Sequence, residues 1–348
     1  MHSHEVEGWW RDVTVRVTTL KGVGAGDYYL EGGGLPGYYV DVDEPRGVWF
    51  GRGTEWLGLD GAVDDEHFGA VMAGADPYDP DRLLGRAFDE SSVRGFDVTA
   101  SAPKSVSVLF ALGDRWVRRE VLAAHDQAVA AMAGWIEDHA HTRFRIGGEV
   151  AVVDAEGIVS ATFRRHTSRA LDPQLHTHVV IANRVRSPDG RWLALDARTI
   201  KRDQRTLSAL YHAGLRAELT RRLGVRWRTP TNGIAEIVDV ADEVMAEFCT
   251  RTVDVEDRVA VKLDRFVDTV GREPTPRERW RLEREAVIDS RPAKTSGVIA
   301  GGPRLRDCAG RSPTGRSAPR LVHRESTADR GHPIACPDGA ALSLRAAR

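Results

Sequence analysis

Polar and apolar positions alternate from Asp12 to Leu20 (DVTVRVTTL), which predicts a half-buried strand. Lys21 to Gly37 is glycine-rich and must bend, and Val48 to Ala62, interrupted by glycines, reads as a loop. Asp65 to Ala73 predicts a short helix. Gly95 to Phe110 reads as strand, turn and apolar stretch, broken at Pro103. Apolar residues recur at helical spacing from Arg115 to His139. Glu149 to Phe163 predicts a β-hairpin turning at Asp154–Gly157, and Leu175 to Val185 a further apolar strand. Ser187 to Gly190 is a turn before a short strand, Arg191 to Leu195. A helix from Asp203 to Leu223 stops at Gly224, and Val238 to Arg291 is mostly helical with a break at Pro274–Pro276.

The pattern ends near Ser296. Residues 298–348 contain no Lys, Phe, Tyr or Trp and are rich in Arg, Gly, Ala, Pro and Ser. Such a stretch cannot bury enough apolar surface to fold. The expected organisation is one domain over residues 1–296, its part from 230 to 296 mainly helical, and a disordered or aberrant tail over 297–348.

The three cysteines form no CxxC pair, which argues against a disulfide framework or a cysteine zinc site. No run of about 18 apolar residues offers a membrane span. Acidic residues stand where a signal peptide needs a basic start, so the expected location is cytoplasmic. The net charge of −2 conceals an asymmetry: Met1–Ala100 holds 19 Asp and Glu against 8 Lys and Arg, Ala161–Pro230 the reverse, 5 against 15. A basic middle segment points to a polyanion-binding face, or to a solvated helix surface.

Chemistry concentrates in RHTSRALDPQLHTHVV, Arg165 to Val180. His176 and His178, two apart on a strand, share a face, so both imidazoles can reach one ion. His166 lies upstream, after a strand ending at Phe163, and the Asp172-Pro173 turn can return it to the pair. Three imidazoles would leave positions on a divalent metal open to a phosphate oxygen. His139 and His141 have the same spacing at a helix end, where it points side chains apart.

Two tyrosine pairs, Tyr28-Tyr29 and Tyr38-Tyr39, lie in and just after the glycine-rich segment. A phenolate can attack a phosphodiester and become a phosphotyrosine. Asp97, in a strand, is a candidate to accept the second ring proton of a metal-bound histidine. Lys104 offers a charge to phosphate or to solvent. Arg169, Arg191, Lys201 and Arg202 are candidate contacts to single-stranded DNA, and Trp192 is either a stacking platform or a core residue.

The segments FDVTASAPKSVS (Phe96–Ser107) and HTSRALDPQLHTH (His166–His178), with the tyrosine pairs and GRGTEWLGL (Gly51–Leu59), resemble the MobF (TrwC/TraI-type) conjugative relaxases of the HUH endonuclease superfamily. The resemblance covers about Val13 to Ser296. It implies an α+β fold: an antiparallel β-sheet palm with flanking helices, and a helical C-terminal part closing over single-stranded DNA. It implies a divalent metal, Mg²⁺ or Mn²⁺ with Zn²⁺ as an alternative, on His166, His176 and His178, with Asp97 orienting one of them. It implies a nucleophile in Tyr28-Tyr29, with Tyr38-Tyr39 as the second catalytic pair. The reaction would be strand-specific nicking at an origin of transfer through a 5′-phosphotyrosine, in concert with other conjugation proteins.

The chain departs from the family pattern in two ways. The first histidine commonly falls one residue earlier, where Arg165 stands; on a regular strand that shift changes the face, unless a bulge restores it. The tyrosine pairs are also slightly further apart. No GxxxxGK[ST] phosphate loop occurs, so no ATP chemistry is expected. The alternative reading is a truncated relaxase remnant that binds origin DNA without cutting it. Tyrosines preceding histidines argue against a rolling-circle replication initiator.

Overall fold

The computed structural model describes residues 15–30, 47–168 and 172–290. Tyr38, Tyr39, Arg169 and the expected tail lie outside the described residues.

Strand β1 (Val15–Lys21) runs into the glycine-rich turn before helix α1 (Asp27–Leu30). From residue 47 the chain forms β2 (Val48–Phe50), α2 (Arg52–Glu55) and α3 (Asp65–Ala73). The Asp64 carboxylate caps α3 by accepting from the backbone N–H of Glu66 and His67, and left-handed Gly74 closes it. Strand β3 (Val93–Ser101) leads into α4 (Lys104–Leu112) and α5 (Arg115–Asp138), the latter capped by Asp114. There follow β4 (His141–Ile146), β5 (Glu149–Asp154), β6 (Ile158–Thr167), β7 (Pro173–Arg186) and β8 (Trp192–Leu193). Helices α6 (Arg198–Arg202), α7 (Gln204–Leu223), α8 (Asp242–Glu247), α9 (Thr250–Val270) and α10 (Pro276–Asp289) complete the fold. Left-handed Gly224 ends α7 as expected. Pro276 opens α10, where Thr275 and Glu278 form a reciprocal capping box.

The architecture is α+β. Strands β1, β3, β7, β6 and β2 lie in that order in one antiparallel sheet, with β8 also on β7; β4 and β5 form a separate ribbon. One face packs on α4, α5 and α7 through Phe110, Val121, Met132, Leu207, Tyr211 and their neighbours. The opposite face carries a second apolar cluster, with Tyr29 of α1 and Phe68, Val71 and Met72 of α3. Val255 and Val259 of α9 meet Ala286 and Val287 of α10 in a third. No described helix is long and apolar enough to cross a membrane.

Three expectations are corrected. The hairpin turns at Gly147-Gly148, joining β4 to β5, while β6 pairs with β7 and β2 in the main sheet. Strand β6 continues past Phe163 to Thr167 and includes His166. Val48 to Ala62, expected to be a loop, carries β2 and α2, and its glycines serve close packing: a Cβ on Gly51, at φ 106°, would stand 2.3 Å from the Ile158 carbonyl oxygen, so only glycine lets α2 lie against β6.

Candidate active site

The centre of the sheet places four elements around one patch. In the β3–β7–β6 register, Thr99, His178 and Phe163 lie side by side, and Ser101, His176 and Arg165 form the next row. Directly paired residues share a face, so Arg165 stands on the same side as His176 and His178. Asp97 lies on that face too, diagonal to His178. Its carboxylate oxygens are 2.9 and 3.1 Å from His178 Nδ1, and Thr99 Oγ1 donates to it at 3.2 Å.

Helix α1 covers this patch. Gly26 permits the approach, since a Cβ there would fall 2.8 Å from the Phe68 ring. The Tyr29 hydroxyl donates to Asp97 Oδ2 at 2.9 Å, and its ring stacks on Phe163 at 5.5 Å. Burial, and then the Asp97 carboxylate, push the Tyr29 phenol well above its ordinary range. Half-buried Tyr28 sets its ring edge-on to Tyr29 at 5.2 Å and to His178 at 6.1 Å. A guanidinium N–H of Arg165 donates to the Tyr29 carbonyl at 2.9 Å.

The histidines divide. His176 and His178 lie ring to ring at 5.1 Å. His176 Nδ1 donates to the Gln174 carbonyl at 2.8 Å, which leaves the Nε2 lone pair as its donor to a ligand. Burial, and then the His178 ring, hold the His176 imidazole down to about 4, so it is neutral at ordinary pH. His178 Nε2 is buried with no hydrogen-bond partner among the described residues, while Nδ1 rests on Asp97. An orphaned ring nitrogen backed by a carboxylate is the arrangement of a metal-ligating histidine. Both imidazoles therefore fit a divalent cation.

His166 does not join them. It is 3% exposed, and its ring packs on Phe110 of α4 at 4.9 Å, on the helix-covered face. Its neighbours confirm the alternation: Arg164 pairs with Asp126 of α5, and Arg165 reaches Tyr29. The register does shift between Arg165 and Thr167, yet that irregularity leaves His166 on the α4 side. Among the described residues no group of three His, Cys, Asp or Glu is arranged to hold a metal ion. His166 therefore packs toward α4, while His176 and His178 share the opposite face of the sheet.

The expected DNA contacts are engaged individually. The Lys104 ammonium donates to the Pro173 carbonyl at 3.0 Å and holds the start of β7; burial lowers its basicity. Arg191 pairs with Asp189 at 2.6 Å and lies over the Phe144 ring. Half-buried Trp192 packs against the second apolar cluster. Exposed Lys201 sits over the Phe96 ring, and Arg202 pairs with Asp203. His139 stacks on Trp135 while His141 pairs with Asp154, so that motif separates as expected.

Sequence reasoning missed His125. Fully buried on α5, it bonds Tyr211 of α7 through Nδ1 and Thr177 of β7 through Nε2, both at 2.8 Å. Thr177 lies between His176 and His178, so His125 braces their strand from behind. Its place within the apolar stripe of α5 was the only available signal.

Residues 21–299 match the family model of the TrwC relaxase. The multifunctional conjugation protein TraI of Escherichia coli is 39% identical over 175 residues, which are 50% of this chain and 9% of that protein. The chain thus spans under a tenth of the length of the curated relatives it matches. A metal-bound structure of the conjugative relaxase TrwC in complex with oriT DNA superposes with a TM-score of 0.67 at 32% identity, covering 81% of this chain and 92% of that one. A copper-bound TrwC complex with oriT DNA gives the same TM-score and identity, covering 82% and 93%. With four-fifths of its length matched to one family, in sequence and in fold, this chain belongs to the TrwC relaxases.

Proposed function

We propose that this chain nicks one strand of DNA at an origin of transfer and keeps the 5′ end on Tyr28. The carrying observation is the convergence on one sheet face of Tyr28, the Asp97-supported His178 and His176. Tyr29, on the buried side of α1, is held protonated by burial and by its bond to Asp97. Tyr28 is the half-buried phenol of the pair, beside His178, and is the nucleophile in this reading.

In the reaction the Tyr28 oxygen attacks the scissile phosphorus. The Tyr28 hydroxyl gives up its proton, the phosphotyrosine bond forms as the P–O3′ bond breaks, and the leaving 3′ oxygen takes up one proton, so the exchange is balanced. The 3′ hydroxyl can later attack the phosphotyrosine and rejoin a strand. His176 and His178 would hold a divalent cation, Mg²⁺ or Mn²⁺, through Nε2; bound there, it would withdraw charge from the non-bridging phosphate oxygens. Asp97 fixes the His178 ring by accepting its Nδ1 proton, and Phe163 and Tyr29 wall the site against water. The partner is single-stranded DNA, in keeping with the oriT complexes of TrwC. Action beside other conjugation proteins and independence from ATP are part of the same proposal.

The test is covalent capture. Purified protein is incubated with Mn²⁺ and a labelled single-stranded pool carrying a randomised central segment, then run on a denaturing gel. A protein-linked band that is lost in Tyr28→Phe supports nicking. Retention of DNA on a native gel without any linked band contradicts it and supports the alternative, a non-catalytic DNA-binding remnant. The displaced His166 is the observation that favours the remnant.

A further inference from the structure

The Asp97 carboxylate is held from three elements. The Tyr29 hydroxyl of α1 donates to Oδ2 at 2.9 Å, and His178 Nδ1 of β7 lies 2.9 Å from Oδ2 and 3.1 Å from Oδ1. The third contact comes from its own strand: the Thr99 hydroxyl donates to Oδ1 at 3.2 Å. Thr99 stands two residues from Asp97 on the same face of β3, and it is the direct cross-strand partner of His178. Its oxygen also lies 3.2 Å from His178 Nδ1, so the three side chains close a triangle. A carboxylate turns easily about its last side-chain bond, because that torsion is broad. Tyr29 and His178 both bear on Oδ2, and Thr99 is the donor among the described residues that bears on Oδ1 alone. Its single proton goes to Oδ1, which leaves lone pairs toward Nδ1. They suit a ring nitrogen that carries hydrogen at Nδ1 and keeps its lone pair at Nε2. We infer that Thr99 is a positioning residue of the site: its hydroxyl fixes the plane of the Asp97 carboxylate, and through it the His178 ring that presents Nε2 to a divalent cation.

Presentation to a cation rests on the proposed metal site, but the triangle itself exists in the metal-free protein. Valine at 99 keeps the β-branched shape that suits a strand and removes the hydroxyl. It should loosen the Asp97 plane, the His178 ring, and with them metal binding. Serine keeps the hydroxyl and should hold all three. Thr99 acts through Asp97, so its loss costs nothing more once the carboxylate is gone. A residue that only supported β3 would cost the same with or without Asp97, which a double-mutant cycle detects.

The experiment has two arms on the full chain. In the first, without metal, the imidazole N–H region of the proton NMR spectrum is recorded, and the His178 Nδ1 proton is identified by its absence in His178→Gln. The wild type and Thr99→Ser should show it downfield and protected from exchange. In Thr99→Val it should shift upfield or broaden by exchange with solvent. An unchanged resonance in Thr99→Val overturns the inference. In the second arm, Mn²⁺ alone is titrated by calorimetry. Thr99→Val should bind about tenfold more weakly, Thr99→Ser within about threefold of the wild type, and Thr99→Val should cost nothing further in an Asp97→Ala background. Equal losses in the two backgrounds, or a loss in Thr99→Ser as large as in Thr99→Val, overturn the inference. Should Thr99→Val show no cooperative urea transition, Thr99→Ala replaces it in the same comparison with Thr99→Ser. A wild type that binds no Mn²⁺ overturns the proposed metal site, and the N–H resonance still decides whether Thr99 holds Asp97 and His178.

Discussion

Two buried histidines back to back across β7 show how one strand serves two purposes. On the α1 face, His178 gives Nδ1 to Asp97 and leaves Nε2 with no partner among the described residues. On the helix face, His125 spends both nitrogens, on Tyr211 and Thr177. Both rings are buried; burial alone does not mark a site. The difference between the two is that His178 pairs one ring nitrogen with a carboxylate and leaves the other without a partner among the described residues. His125, with both bonds made within the protein, is architecture.

The comparison can be broken most sharply at the nucleophile. Tyr28→Phe removes the attacking oxygen and should lower strand capture by about 1,000-fold or more, read as covalent adduct per protein, without altering the fold. Tyr29→Phe, which loses only a bond to Asp97, should retain capture within about tenfold.

The next effect is on the metal. Asp97→Asn cannot accept the His178 Nδ1 proton in the same way and should weaken Mn²⁺ binding by about 10- to 100-fold in calorimetry. His125→Ala should leave Mn²⁺ affinity within about threefold while costing about 2–4 kcal/mol in urea unfolding, from two broken buried hydrogen bonds and a cavity. If His125→Ala instead abolished metal binding at unchanged stability, the distinction between the two faces would fail.

The smallest expected effect is on stability against pH. Burial drives the His125 imidazole well below its ordinary value of 6.5 and lowers His212 on α7 to about 4, with the Arg216 charge adding to the latter. Both are neutral in the folded state and take up protons near pH 6.5 when unfolded. Their contribution is therefore complete above about pH 6.5 and is lost as the pH falls toward 4. Urea midpoints should decline over that interval, by up to about 1.4 kcal/mol per pH unit for each histidine. In His212→Gln the decline should be shallower.

Much of the site was legible in the chain because strand periodicity is strict. The two-residue spacing of His176 and His178 fixes a shared face whatever the partners of β7, and the valines around Asp97 place it on a neighbouring strand. The stop of α7 at Gly224 is equally local. What was not legible depends on pairing. The turn-like Asp154–Gly157 and the true hairpin turn Gly147-Gly148 are alike in composition, and periodicity does not say which strand meets which. The same ignorance concealed the side taken by His166: an irregularity in β6 could have carried it to either face, and only its contact with Phe110 puts it on the α4 side. The packing of half-buried Trp192 against the apolar cluster beneath β8 likewise depends on pairing that periodicity does not reveal.

The central claim is that the Tyr28 phenol, beside the His176–His178 pair, becomes the carrier of the DNA strand. Its most direct measurement is tandem mass spectrometry of the proteolysed covalent adduct. The account predicts a single 5′-phosphonucleotide on Tyr28. A modification on Tyr29, or on Tyr38 or Tyr39 with Tyr28 untouched, would contradict it.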